Sequence, residues 1–64
     1  MDLITEIKNE VRKFNELDDS TMEVIDHGIC CELIIDGETI TECYHLSVLE
    51  RIRGINRGHG YNYF

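Results

Sequence analysis

Apolar residues recur along the first quarter of the chain at spacings of three and four: Leu3, Ile4, Ile7, Val11, Phe14 and Leu17. That period places them on one stripe of an amphipathic helix, predicted over residues 2 to 17 and packed against a core. Asp2 and Glu6 near its start and Arg12 and Lys13 near its end suit the helix dipole. Asp18-Asp19-Ser20 are poor helix formers that favour a turn, and they end it.

Beyond Ser20 the period changes to two. Residues 29 to 44 are two β-rich runs flanking Asp36-Gly37, a pair whose residues both tolerate positive φ and so mark a two-residue hairpin turn. Residues 21 to 26 read as a third, shorter strand, joined through a second two-residue turn at His27-Gly28. With both turns two residues long, Ile35 faces Glu38, Leu33 faces Ile40, Cys31 faces Glu42 and Ile29 faces Tyr44. On the other side Asp26 faces Ile29, Val24 faces Cys31 and Met22 faces Leu33. One sheet face then carries Met22, Val24, Ile29, Cys31, Leu33, Ile35, Ile40 and Tyr44. The opposite face carries Thr21, Glu23, Ile25, Cys30, Glu32, Ile34, Thr39, Thr41 and Cys43. The register leaves Glu38 and Glu42 on the apolar face, which only the sheet margin tolerates.

Helical spacing returns over residues 47 to 57, where Val48, Leu49, Ile52 and Ile55 form a stripe. Ser47 and Glu50 have capping-box spacing, and Gly58 is a natural stop. Residues 57 to 64 make a glycine-hinged aromatic tail ending in Tyr61, Tyr63 and Phe64. The expected fold is α+β: an N-terminal helix, a three-stranded antiparallel meander and a C-terminal helix (αβββα), both helices on one sheet face. With 64 residues, the chain is expected to form one small domain near the lower size limit for a self-sufficient core.

Charge changes the picture more than composition does. The net charge is −7, and from Phe14 to Glu50 there is no Lys or Arg. Such a centre repels nucleic acid and acidic membranes and attracts basic protein surfaces. No apolar run is long enough for a membrane span and no leader peptide is apparent, so a cytoplasmic location is expected. Three cysteines without a leader favour reduced thiols over a disulfide framework.

Candidate chemistry is sparse. Cys30, Cys43, His45 and His27 could be brought together as thiolate and imidazole ligands for zinc, although their spacing matches no familiar zinc signature. Cys30 opposite Cys43 would also suit a cross-strand disulfide; small residues filling a strand is the simpler reading. Catalysis has little basis: there is no nucleophile elbow, phosphate-cradling glycine loop or His-Glu-x-x-His, and no cofactor is expected. Arg51, Arg53, Arg57 and the aromatic tail resemble a nucleic-acid contact, but ten carboxylates between Phe14 and Glu50 oppose it.

In size, acidity and lack of catalytic motifs the chain resembles phage-encoded inhibitors of host defence or nucleic-acid enzymes, anti-CRISPR proteins among them. The resemblance implies a non-enzymatic inhibitor or adaptor acting in the host cytoplasm. Carboxylates spaced along strands and turns would imitate nucleic-acid phosphates and occupy a basic site on a larger protein. Asp26, Glu32, Asp36, Glu38 and Glu42 are the expected contacts, with Tyr61, Tyr63 and Phe64 as a hydrophobic anchor. The alternative is a self-associating module, a homodimer formed through Ile25 and Ile34 or an open strand edge. A small metal-binding domain is the third reading.

Overall fold

The computed structural model describes residues 2–58. The elements are α1 (Leu3–Leu17), β1 (Met22–Asp26), β2 (Cys31–Ile35), β3 (Glu38–Cys43) and α2 (His45–Gly58). The strands form one antiparallel sheet in the order β1-β2-β3. Helix, meander and helix follow as the periodicities require, and the two helices pack on each other and on one sheet face. The core joins Ile7 and Phe14 of α1, Met22, Cys31 and Leu33 of the sheet, and Val48, Leu49 and Ile52 of α2. Among the described residues no helix is long and apolar enough to cross a membrane.

The second hairpin turns at Asp36-Gly37 as expected, with φ of 53° and 82°. Both lie in the left-handed region that Asp tolerates and Gly occupies without cost. Asp36 is also tied to the start of β1: its N–H donates to Thr21 O at 2.8 Å, and its Oδ1 accepts from Thr21 N at 2.9 Å. The first hairpin turns one residue later than the sequence implies. His27 N–H donates to Cys30 O at 2.9 Å, so the chain reverses over Gly28-Ile29. Gly28, at φ 93°, takes the first central position, where a type II′ hairpin turn calls for glycine. Met22 therefore faces Ile35, Val24 faces Leu33 and Asp26 faces Cys31. The ladder slides by two positions, so the faces of β1 are unchanged. Ile29 moves to the turn and is 82% exposed rather than inward.

β3 departs further. Ile35 faces Glu38 and Ile34 faces Thr39, but Leu33 faces Thr41, Glu32 faces Glu42 and Cys31 faces Cys43. Ile40 is the extra residue of a β-bulge. Strict alternation would hold Glu42 beneath the helices, where stripping a carboxylate of water costs several kcal/mol, of order 5. The bulge turns Glu42 outward and brings Thr41 and Cys43 to the core side. Ile40 and Tyr44 give up their inward places and are 39% and 66% exposed. Losing partial burial of two apolar side chains, roughly 1 to 2 kcal/mol each, is the smaller cost. It also separates Cys30 from Cys43: Cys30 sits at the end of the β1–β2 turn, and all three thiols are unbridged.

α2 starts at His45, two residues before the expected Ser47 cap, and Val48 N–H donates to Tyr44 O at 3.0 Å. Ser47 thus lies inside the first turn. The inward step of Cys43 ends the strand there and leaves Tyr44 to launch the helix.

Two asparagines tie the elements together, one joining α1 to β1 and the other joining α2 to α1. The side chain of Asn15 on α1 meets the outer edge of β1 as a strand would. Its Oδ1 accepts from Met22 N at 2.7 Å, and its Nδ2 donates to Met22 O at 3.1 Å. This fork covers part of an edge that would otherwise present unpaired backbone groups. Asn15→Leu is expected to lower stability by about 1 to 3 kcal/mol, because it strands both groups of Met22. Chemical denaturation of the variant measures the loss, and an unchanged midpoint would show the fork to be dispensable. Asn56 on α2 is 0% exposed, and its Nδ2 donates to Glu10 O and Glu10 Oε1, both at 3.0 Å. Glu10 on α1 is itself only 4% exposed, with Lys13 Nζ 3.2 Å from Oε2 and Arg53 Nε 3.8 Å away.

Candidate functional site

Folding sorts the charges by layer. Lys8, Arg12 and Lys13 lie on α1, and Arg51, Arg53 and Arg57 on α2. All six cations therefore share the helical layer, where five carboxylates (Asp2, Glu6, Glu10, Glu16 and Glu50) accompany them. Residues 18–44, the sheet and its turns, carry eight carboxylates and no Lys or Arg. The net negative charge is thus borne by the sheet layer, and the helical layer is close to neutral.

The carboxylates expected to contact a partner occupy different places on that layer. Glu32 and Glu42 are cross-strand partners on the outer face, away from the helices. Glu23, also on the outer face, lies opposite Ile34. Glu38 is exposed at the start of β3, just past the turn. Asp36 sits in the turn and braces it through Thr21. Asp26 lies at the margin of the helix-facing side, where its Oδ1 accepts from Gly28 N at 2.9 Å and lies 3.0 Å from His45 Nε2. It ties the end of β1 to the first residue of α2. Tyr61, Tyr63 and Phe64 lie outside the described residues.

Local contacts and burial shift Asp26, Glu32 and Cys31 from their ordinary values. The Gly28 N–H bond, then the His45 contact, hold the Asp26 carboxyl below the usual carboxylate range. The Thr39 hydroxyl, then His27, do the same for Glu32. Groups with depressed folded-state values add stability above the unfolded-chain value, and that stability is lost as pH falls through the folded one. Burial pushes the Cys31 thiol up, reinforced by the nearby Asp26 charge. Cys31 therefore stays a protonated, unreactive core residue.

The four residues that could be drawn as a zinc site from the sequence, Cys30, Cys43, His45 and His27, are not brought together, and a different grouping appears. His45 turns to Asp26, and Cys43 faces Cys31 on the core side. His27 instead reaches over the outer face, with Nε2 3.1 Å from Glu32 Oε1 and 3.6 Å from Glu42 Oε2. Thr39 Oγ1 donates to the other oxygen, Glu32 Oε2, at 2.5 Å. Among the described residues, His27, Glu32 and Glu42 are the set whose ligand atoms all lie within 4.8 Å of one another. Regular pairing hides this set, because it puts Glu42 on the other face from Glu32. The misfit of Glu42 on an apolar face was its only signal.

Fold and site together define a small αβββα domain whose negative charge is displayed by its sheet and turns. Compared with protein-family models, curated proteins and solved structures, the chain matches none.

Proposed function

We propose that this protein is a stoichiometric, non-enzymatic inhibitor or adaptor that binds a basic site on a larger, nucleic-acid-handling protein, in the manner of phage anti-defence and anti-CRISPR proteins. The observation that carries this reading is the segregation of charge: eight carboxylates and no Lys or Arg in the sheet layer, against a near-neutral helical layer. Alternate residues of a strand are about 7 Å apart, a spacing comparable with that of phosphates along a nucleic-acid strand. A field of one sign on one side of a small molecule orients it during approach to a cationic groove and speeds encounter.

Glu38, Glu42 and Glu23 are the exposed contacts in this reading, with Glu32 beside them. Asp26 and Asp36 shape the surface through their bonds to Gly28, His45 and Thr21, and Tyr61, Tyr63 and Phe64 supply the hydrophobic anchor. Charge reversal at Glu38 and Glu42 tests it, since neither side chain hydrogen-bonds the backbone of a turn. The immobilised chain should retain a basic protein that salt or added DNA displaces. Glu38→Lys with Glu42→Lys should weaken that binding at least tenfold and flatten its salt dependence. Unchanged affinity would refute charge mimicry.

A further inference from the structure

We propose that His27, Glu32 and Glu42 form a binding site for one divalent first-row transition-metal ion, Zn2+ being the simplest probe. The proposal does not rest on the partner-binding reading. The three ligands come from three places, the β1–β2 turn, β2 and β3, and the register of the sheet brings them together. Glu32 and Glu42 face each other directly across the strands. Like charges so placed repel, and a cation between them reverses the sign of the interaction.

The third group is an imidazole. Its Nε2 stands 3.1 Å from Glu32 Oε1 and 3.6 Å from Glu42 Oε2. A tetrahedral ion with bonds of about 2.1 Å spaces its ligand atoms about 3.4 Å apart, so these separations match a shared coordination sphere. One imidazole nitrogen and two carboxylate oxygens suit Zn2+, Mn2+, Fe2+, Co2+ or Ni2+, and the absence of thiolate or thioether argues against Cu(I). Three protein ligands leave at least one position for water or an exogenous group.

The Thr39 hydroxyl bonds the carboxylate oxygen of Glu32 that faces away from His27. It thereby fixes the orientation in which Oε1 points at the proposed ion, as outer-shell partners of metal ligands do. The bulge at Ile40 has a part as well. By turning Glu42 outward it spares the core a carboxylate and places that carboxylate opposite Glu32.

Calorimetric titration of the full chain with zinc chloride tests the site, supported by native mass spectrometry. The expected result is saturable binding of one ion per chain that raises the melting temperature. His27→Gln and Glu42→Gln should each weaken binding tenfold or more, and Thr39→Val about tenfold. A control variant carrying Cys30→Ser, Cys43→Ser, His45→Gln and His59→Gln should bind as the unmodified chain does. Circular dichroism confirms that each variant is folded. Co2+ should give a spectrum without thiolate-to-metal charge transfer. Failure to bind one ion saturably, or binding that survives both His27→Gln and Glu42→Gln, would overturn the proposal. So would a thiolate charge-transfer band that the cysteine substitutions abolish.

Discussion

Replacing Asn56 by aspartate is expected to remove a large share of the protein's stability at neutral pH. The two side chains have the same shape, and Asn56 is fully buried between the helices with its amide donating twice to Glu10. Aspartate removes both donors and sets a second carboxylate against one that is itself 4% exposed. Leaving a buried charge uncompensated costs about 3 to 5 kcal/mol. A domain of this length has a total stability of roughly 3 to 10 kcal/mol, so the loss is a large share of it. The new carboxyl titrates above its unfolded-chain value, because both burial and Glu10 oppose its ionisation. Its penalty therefore grows as pH rises and shrinks as pH falls. Urea denaturation at about pH 5 and about pH 7.5 should show the variant partly rescued at the lower value. An Asn56→Asp variant as stable as the parent at both values would mean that the helix interface does not depend on this pair.

Leu33→Ala should cost about 2 to 5 kcal/mol, as expected for emptying a closed core position. Leu33 is 0% exposed on the central strand, in the core cluster to which both helices contribute. Ile40→Ala should cost less than about 1 kcal/mol, since Ile40 is the outlying residue of the bulge and already 39% exposed. Alternation along the strands pairs these two residues as equal neighbours on the apolar face. The comparison therefore measures the bulge itself. Equal losses in urea denaturation would place Ile40 back in the core and remove the argument for Glu42 facing outward.

Those residues mark how far the sequence could be read. α1, the Asp36-Gly37 turn, the three strands and α2 follow from local periods and turn chemistry, which involve residues close in the chain. Gly28 was visible as a turn residue, but which side of it the chain reverses on depends on pairing energy summed along β1 and β2. The bulge escapes because a period-two pattern has no place for an extra residue. Glu42 on an apolar face was the conflict that pointed to it, and the fold resolves the conflict by giving up Ile40 and Tyr44. Glu10 sits between Ile7 and Phe14 at core spacing and reads as polar until Asn56, 46 positions away, becomes its partner. The acidic surface was legible as a run without Lys or Arg. That the cations of both chain ends gather in one layer became evident only when the helices packed on the same sheet face. The His27, Glu32 and Glu42 grouping needed both the turn and the bulge, so no spacing rule along the chain could have found it.

The central claim is that location of charge, rather than its total, makes the sheet layer a binding surface. Two variants with the same net charge test it on the partner that the chain retains. One removes three exposed charges from the sheet layer, through Asp19→Asn, Glu23→Gln and Glu38→Gln. The other removes three from the helical layer, through Asp2→Asn, Glu16→Gln and Glu50→Gln. Association rates measured across a series of salt concentrations should fall at least tenfold for the first variant and stay close to the parent for the second. Equal losses in both would reduce the effect to net charge and contradict the account.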